Sequence, residues 1–147
     1  MSLLFLVFAV VAGALLPTQA GINAQLAKIL GHPLLAASVS FTLGTLALLL
    51  YTFVVHIPWP ALNRAIQAPW YLWIGGLLGV FYLTATIILA PLLGAATMVG
   101  LIVAGQMLAS ITLDHFGLVG FPVHPLGFWR AVGALFLIVG VALIQRS

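Results

Sequence analysis

The sequence predicts an all-α membrane protein with five transmembrane helices. Two observations lead to this fold class. Apolar residues make up 65% of the 147-residue chain and charged residues only 3%, with a mean hydropathy of +1.34, whereas a soluble domain has about a quarter charged residues. The apolar residues also form charge-free runs as long as membrane-spanning helices. We therefore expect residues 1–147 to form a single transmembrane domain.

The first two spans are separated by a short polar segment. A helix rises about 1.5 Å per residue and the hydrocarbon core is about 30 Å thick, so each span needs roughly 20 residues. We expect the first span over about residues 3–20, with a helix break near Pro17. It lacks the basic start of a secretory signal, so we expect it to be retained. The second span is expected over about residues 34–55, after Gly31–Pro33.

The remaining three spans follow a long charge-free interval and a short connection. Residues 65–113 carry no charge and are about twice as long as one span. Proline suits the first turn of a helix, so Pro91 is the expected break between spans over about residues 70–89 and 93–112. The fifth span is expected over about residues 126–145.

The composition excludes most catalytic chemistry. The chain has one acid, Asp114, and no Glu, so it cannot form a carboxylate pair for acid–base catalysis. It has no Cys, and its only Lys, Lys28, lies in no Gly-rich phosphate loop. Four dispersed cations form no basic patch for nucleic acid. We therefore expect a protein that is not an enzyme and that uses no cofactor, metal ion or nucleic acid.

The basic residues are shared evenly between the two membrane faces that five spans imply. Arg64 and Arg130 lie on the face with the N-terminus, and Lys28 and Arg146 lie on the other. Orientation normally follows an excess of Lys and Arg on the cytoplasmic side, and here there is no excess. Other determinants or a partner could fix one orientation. We expect instead dual topology, with antiparallel pairing of two copies or of one copy with an oppositely oriented paralogue, as in inverted-repeat transporters.

Polar side chains within the spans recur at helical spacing. Gln19 and Asn23 are four residues apart, and Gln106, Ser110 and Asp114 follow one another at the same spacing, which places each group on one helix face. Polar groups in hydrocarbon usually face protein or water. Two roles fit the amide side chains: contact with a substrate, and structural hydrogen bonds between helices. The hydroxyls of Ser38, Thr42 and Thr45 are instead expected to bond the preceding turn or to pack between helices.

Asp114 has two interpretations. In the first it pairs with Arg130 across the connection between the fourth and fifth spans. In the second it is a residue for coupling or gating, with Arg130 as its partner. Its place near the end of a span argues against deep burial and therefore favours the ion pair.

Several runs in the sequence resemble a known family. These runs are Pro17–Asn23, Gly105–Ser110, Asp114–Gly117, and the segment from Pro122 to Gly133 that includes His124, Pro125, Leu126, Gly127 and Arg130. Together they resemble the YdcZ-type family of five-helix proteins in the drug/metabolite transporter superfamily, and the resemblance extends over essentially the whole chain.

The resemblance implies a half-transporter in the bacterial inner (plasma) membrane, paired with an inverted copy or paralogue around a central cavity. It implies substrate-binding roles for Gln19, Asn23, Gln106 and Ser110, a functional role for Asp114, and a structural role for Arg130. We therefore expect a secondary transporter or facilitator of a small neutral or amphipathic metabolite, acting by alternating access. The alternative is a non-transporting accessory or structural subunit of a larger membrane complex.

Overall fold

The computed structural model describes residues 2–60 and 66–146. This part of the chain contains five helical segments that are long and apolar enough to cross a membrane. The predicted fold class, an all-α membrane protein, is therefore confirmed. Arg64, which the orientation argument uses, lies outside the described residues. The helices are α1 (Leu3–Leu30), α2 (Pro33–Val54), α3 (Gly75–Leu93, preceded by a 3-10 helix at Trp70–Ile74), α4 (Ala95–Phe116) and α5 (Phe128–Gln145).

Helix α1 does not end near Pro17, so the break predicted there is wrong. The helix continues to Leu30, and Gly31 ends it with a left-handed φ of 80°. A proline inside a helix removes one hydrogen bond and crowds the carbonyl four residues earlier, which here belongs to Gly13. Ending the helix inside the bilayer would instead leave several carbonyls without partners.

Helix α2 begins where the sequence places polar and proline residues together. His32 is its N-cap and accepts a hydrogen bond at Nδ1 from the backbone N–H of Leu34 at 3.2 Å. Within the helix, Ser38 and Thr42 each donate to a carbonyl one turn earlier at 2.8 Å. The expectation that these two hydroxyls bond the preceding turn is confirmed.

The break between α3 and α4 lies at Gly94 and not at Pro91. Pro91 lies inside the last turn of α3, and Gly94 follows with φ 75° and ψ 161°. Glycine adopts this conformation readily, and other residues are strained there. The helix ends at Leu93, two residues after Pro91, and the turn is made by Gly94, whose backbone conformation suits glycine.

The described helices divide into two compact units, Met1–Pro91 and Leu92–Ser147. In the first unit, α1 packs along α2, and Ala36 and Ala37 of α2 form a small core with Leu83 and Ile87 of α3. In the second unit, α4 packs along α5. There a Cβ added to Gly100 would lie 3.1 Å from a Val141 methyl group, so this glycine permits the close approach of the two helices.

Most large apolar side chains of the described helices are exposed in the single chain. Examples are Phe8 and Phe136, which are 73% and 72% exposed. A soluble protein does not leave so much apolar surface in water. These faces therefore contact lipid or another protein chain, in agreement with the membrane fold.

Candidate functional site

The first unit contains an open groove between α1 and α2, with a volume of about 590 Å³. We call it the α1–α2 groove. Its walls are mainly apolar, and its polar groups come from two of the predicted site residues, Gln19 and Asn23, and from two hydroxyls. The lining residues are Leu15, Leu16, Thr18, Gln19, Ile22, Asn23, Leu26, Val39, Ser40 and Leu43.

Asn23 is the buried polar side chain of this groove. It is 4% exposed, and its Nδ2 donates to Ser40 Oγ at 3.3 Å, which links α1 to α2. A side-chain amide has two N–H groups and an acceptor oxygen. Among the residues that the structure describes, the second N–H and the oxygen make no hydrogen bond. Asn23 can therefore offer one donor and one acceptor to a molecule in the groove.

Gln19 lies one helical turn before Asn23, as the spacing predicts, and it also lines the groove. Unlike Asn23 it is exposed. The difference in burial follows from the helix face, since Ala20, Asn23 and Ala24 are the buried residues of α1. Gln19 therefore lies at the groove surface and Asn23 inside it.

Ser40 is a groove residue that the sequence interpretation missed. The hydroxyls that helical spacing grouped on α2, and for which a structural role was expected, are those of Ser38, Thr42 and Thr45, which are exposed. Ser40 follows the buried pair Ala36 and Ala37 by about one turn. Two adjacent small residues on a long apolar helix mark the face that packs against a neighbour, and this signal could have identified Ser40.

The second unit contains a smaller pocket of about 310 Å³ between α4 and α5, which we call the α4–α5 pocket. It brings together Ser110, Asp114 and Arg130, three of the predicted site residues. The other lining residues are Met107, Ile111, Gly133 and Ala134.

An ion pair joins the two charged residues of this pocket. Arg130 NH1 lies 3.1 Å from Asp114 Oδ2, so the predicted pairing is present. The side chains are 42% and 27% exposed, respectively. An ion pair with this exposure is partly screened by solvent and adds little to folding stability. Its effect is to position the two charges at the pocket.

The connection after α4 is tied to the same ion pair. Arg130 NH1 also donates to the carbonyl of His124 at 3.2 Å, and the N–H of His124 donates to the carbonyl of Asp114 at 2.8 Å. The N–H of Leu126 donates to His115 Nδ1 at 3.0 Å. These bonds hold the segment between α4 and α5 against both helix ends. Whether Asp114 and Arg130 serve coupling or gating stays a prediction.

Gln106 joins neither group of site residues. It is exposed on α4, one turn before Ser110, and lines neither the α1–α2 groove nor the α4–α5 pocket. Helical spacing placed it on one face with Ser110 and Asp114, but the α4 residues that line the pocket are Met107, Ser110, Ile111 and Asp114.

Within residues 2–60 and 66–146 there is no group of three His, Cys, Asp or Glu side chains that could hold a metal ion. The polar chemistry of the two sites therefore consists of amide and hydroxyl groups in one unit and an ion pair with a hydroxyl in the other.

Comparison with known proteins identifies the family. A family model described as "Putative inner membrane exporter, YdcZ" matches residues 4–143. The chain belongs to this family. It is similar to the inner membrane protein YdcZ of Escherichia coli (strain K12), with 39% identity over 77 residues, which are 52% of this chain and 51% of that protein. The match thus spans about half the length of this curated relative. No solved structure matches the chain.

Family membership and the five apolar helices establish where the protein is located. It is a multi-pass integral membrane protein of the bacterial inner membrane. The description of the family is that of an inner membrane exporter. The resemblance inferred from the Pro17–Asn23 and Asp114–Gly117 runs is therefore confirmed.

Proposed function

We propose that the chain is a half-transporter, a secondary transporter or facilitator of a small neutral or amphipathic metabolite. Asn23 carries this proposal, because it is a buried amide with unused hydrogen-bonding groups in a mainly apolar groove. Ligand pockets are typically about 300–1,000 Å³, apolar, with a few placed polar groups. The α1–α2 groove, at about 590 Å³, has this character.

The substrate class follows from the residues that line the groove. None of them is ionised. A charged substrate would lose its hydration without gaining an opposite charge, which is costly in low dielectric. A neutral molecule with a donor and an acceptor would match the free groups of Asn23, with Gln19 at the groove surface. We also propose roles in the transport path for Ser110 and Gln106, with Asp114 and Arg130 in coupling or gating, as the family resemblance implies.

Antiparallel pairing with a second copy, or with an oppositely oriented paralogue, completes the proposal. The groove is open in the single chain, and its apolar side chains Leu15 and Ile22 are 61% and 60% exposed. An inverted partner would cover these side chains and enclose a cavity, and rocking between the two copies would give alternating access. The even division of Lys28 and Arg146 against Arg64 and Arg130 supports insertion in both orientations.

The alternative is a non-transporting accessory subunit. It is favoured by one observation, the hydrogen bond from Asn23 to Ser40, which by itself explains why an amide is buried between α1 and α2. In that case the apolar groove is filled by a neighbouring protein or by lipid, and no solute crosses.

Uptake into proteoliposomes tests the proposal. The purified chain is reconstituted and offered a panel of radiolabelled neutral and amphipathic metabolites, with protein-free liposomes as the control. We expect saturable uptake of at least one compound and competition by its analogues. Absence of flux for every compound, together with copurification of an unrelated membrane complex, would favour the accessory role.

Cysteine labelling tests the orientation separately. The natural chain has no Cys, so Val123→Cys introduces one thiol, in the exposed connection between α4 and α5. In intact cells, a membrane-impermeant maleimide should label about half of the molecules if both orientations occur. Lysed cells give the value for complete labelling. Labelling of all molecules, or of none, in the absence of a paralogue would contradict dual topology.

A further inference from the structure

The α4–α5 pocket contains two opposite charges that use only part of their hydrogen-bonding capacity. Arg130 bonds through NH1 alone, to Asp114 Oδ2 and to the carbonyl of His124. A guanidinium has five N–H donors. Within the described part of the chain, Nε and NH2 of Arg130 make no hydrogen bond, and neither does Oδ1 of Asp114. One edge of the guanidinium and one carboxylate oxygen are therefore available to a ligand.

We propose that this pocket binds a zwitterionic group, with its anion on the free edge of Arg130 and its protonated amine on Asp114. The edge formed by Nε and NH2 matches the two oxygens of a carboxylate or phosphate. Asp114 and Arg130 are the only ionised side chains among the residues lining the pocket. A ligand with both charges meets an opposite charge at each end, whereas a singly charged ligand also meets a like charge.

The walls of the pocket suit a short polar head followed by an apolar portion. Ser110 adds a hydroxyl one turn before Asp114, and Met107 and Ile111 supply an apolar wall. Gly133 keeps the α5 side open, because a Cβ added there would meet no atom within 4 Å. Two sources carry this chemistry: the phosphoethanolamine headgroup of a membrane lipid, and a free zwitterionic solute.

This proposal goes beyond the transport function. The pocket lies in the second unit and the α1–α2 groove in the first, and the test below measures ligand binding and not uptake, so its failure and the failure of the proposed transport function are distinguishable.

Binding to the purified full-length chain in detergent provides the test. The probes are phosphatidylethanolamine, phosphatidylcholine, phosphatidylglycerol and soluble O-phosphoethanolamine, followed by native mass spectrometry and by thermal stabilisation. We expect phosphatidylethanolamine to bind more tightly than the other two lipids by about tenfold. The quaternary amine of phosphatidylcholine has no N–H to donate to Asp114, and phosphatidylglycerol has no amine.

Four variants locate the site. Arg130→Gln should weaken phosphatidylethanolamine binding by about tenfold, and Asp114→Asn should remove the preference over phosphatidylcholine. Gly133→Leu should fill the pocket and also weaken binding. Gly140→Leu is its matched control, since Gly140 lies on the same helix, also has open space around its Cβ, and does not line the pocket. The glycine pair keeps the test decisive even if the charge variants do not fold.

The results distinguish a lipid ligand from a free solute, and they distinguish both from results that overturn the proposal. Binding of phosphatidylethanolamine alone assigns the site to lipid, and binding of O-phosphoethanolamine alone assigns it to a free solute; both support a zwitterion site. Equal binding of phosphatidylglycerol, with stronger binding after Asp114→Asn, would show an anion site and overturn the proposal. So would the absence of binding by all four probes, or identical behaviour of Gly133→Leu and Gly140→Leu.

Discussion

The α1–α2 groove and the α4–α5 pocket differ in how far their polar side chains are buried. The groove buries a neutral amide, Asn23, to 4% exposure, whereas the pocket keeps its charges, Asp114 and Arg130, 27% and 42% exposed near helix ends. A neutral amide needs only hydrogen bonds when it is buried, but a charge also loses a large hydration free energy. The comparison suggests that solute recognition in the groove rests on hydrogen bonds and that charge recognition is confined to the pocket.

Asn23→Leu should have the largest effect of the variants considered, and this effect is on metabolite uptake. The change removes the amide from the groove while keeping a similar volume, so we expect metabolite uptake to fall by about tenfold or more. The free energy of unfolding should change by only about 1 kcal/mol, because one hydrogen bond is lost and apolar surface is gained. Uptake in proteoliposomes and thermal unfolding in detergent measure the two quantities.

Ser40→Ala is the matched control for Asn23→Leu. It removes the same hydrogen bond but leaves the amide in the groove, so uptake should stay within about twofold of the natural chain. If Ser40→Ala abolished uptake as fully as Asn23→Leu, the role of Asn23 would be to hold α1 against α2 and not to bind a solute.

Pro17→Ala should have the next largest effect, which is on the free energy of unfolding. It tests a difference in proline content between the helices of the two units. Pro17 lies within α1 beside the groove, whereas α4 and α5 contain no proline. Alanine restores the N–H that can bond the Gly13 carbonyl, and an internal proline costs up to about 3 kcal/mol relative to alanine. We therefore expect a higher unfolding temperature. A lower unfolding temperature would show that the proline fits its surroundings better than alanine does.

Comparison of the sequence predictions with the structure shows which features depend on local pattern. The five helices follow from apolar length, which is a property of composition. The break predicted at Pro17 was wrong because a helix that ended inside the bilayer would leave several carbonyls without partners, which costs more than one proline within the helix. The turn at Gly94 depends on a positive φ that the sequence does not specify.

The site residues also divide into those that helical spacing predicts and those that depend on packing between helices. Helical spacing correctly placed Gln19 with Asn23, and Ser110 with Asp114, because residues four apart share a helix face. It did not identify Ser40 as the partner of Asn23, because contacts between helices depend on packing.

Breaking the ion pair of the α4–α5 pocket should change the free energy of unfolding less than Pro17→Ala does. Asp114→Asn, Arg130→Gln and the double variant should each lower the free energy of unfolding by no more than about 1 kcal/mol, because the pair is partly exposed. Hydrogen exchange at the backbone N–H of His124, which bonds the carbonyl of Asp114, should become faster in all three. A double variant as destabilised as the sum of the single variants would show that the two side chains act independently.

Gln106→Ala should have the smallest effect on the free energy of unfolding. Gln106 is exposed and lines neither the groove nor the pocket, although the family resemblance implies a role in binding. If the single chain contained the whole binding site, its removal would leave uptake unchanged and would alter the free energy of unfolding by less than about 0.5 kcal/mol. A tenfold loss of uptake with normal stability would mean that Gln106 contacts the solute only in the assembled pair. Uptake by Gln106→Ala therefore measures how much of the substrate path one copy of the chain contains.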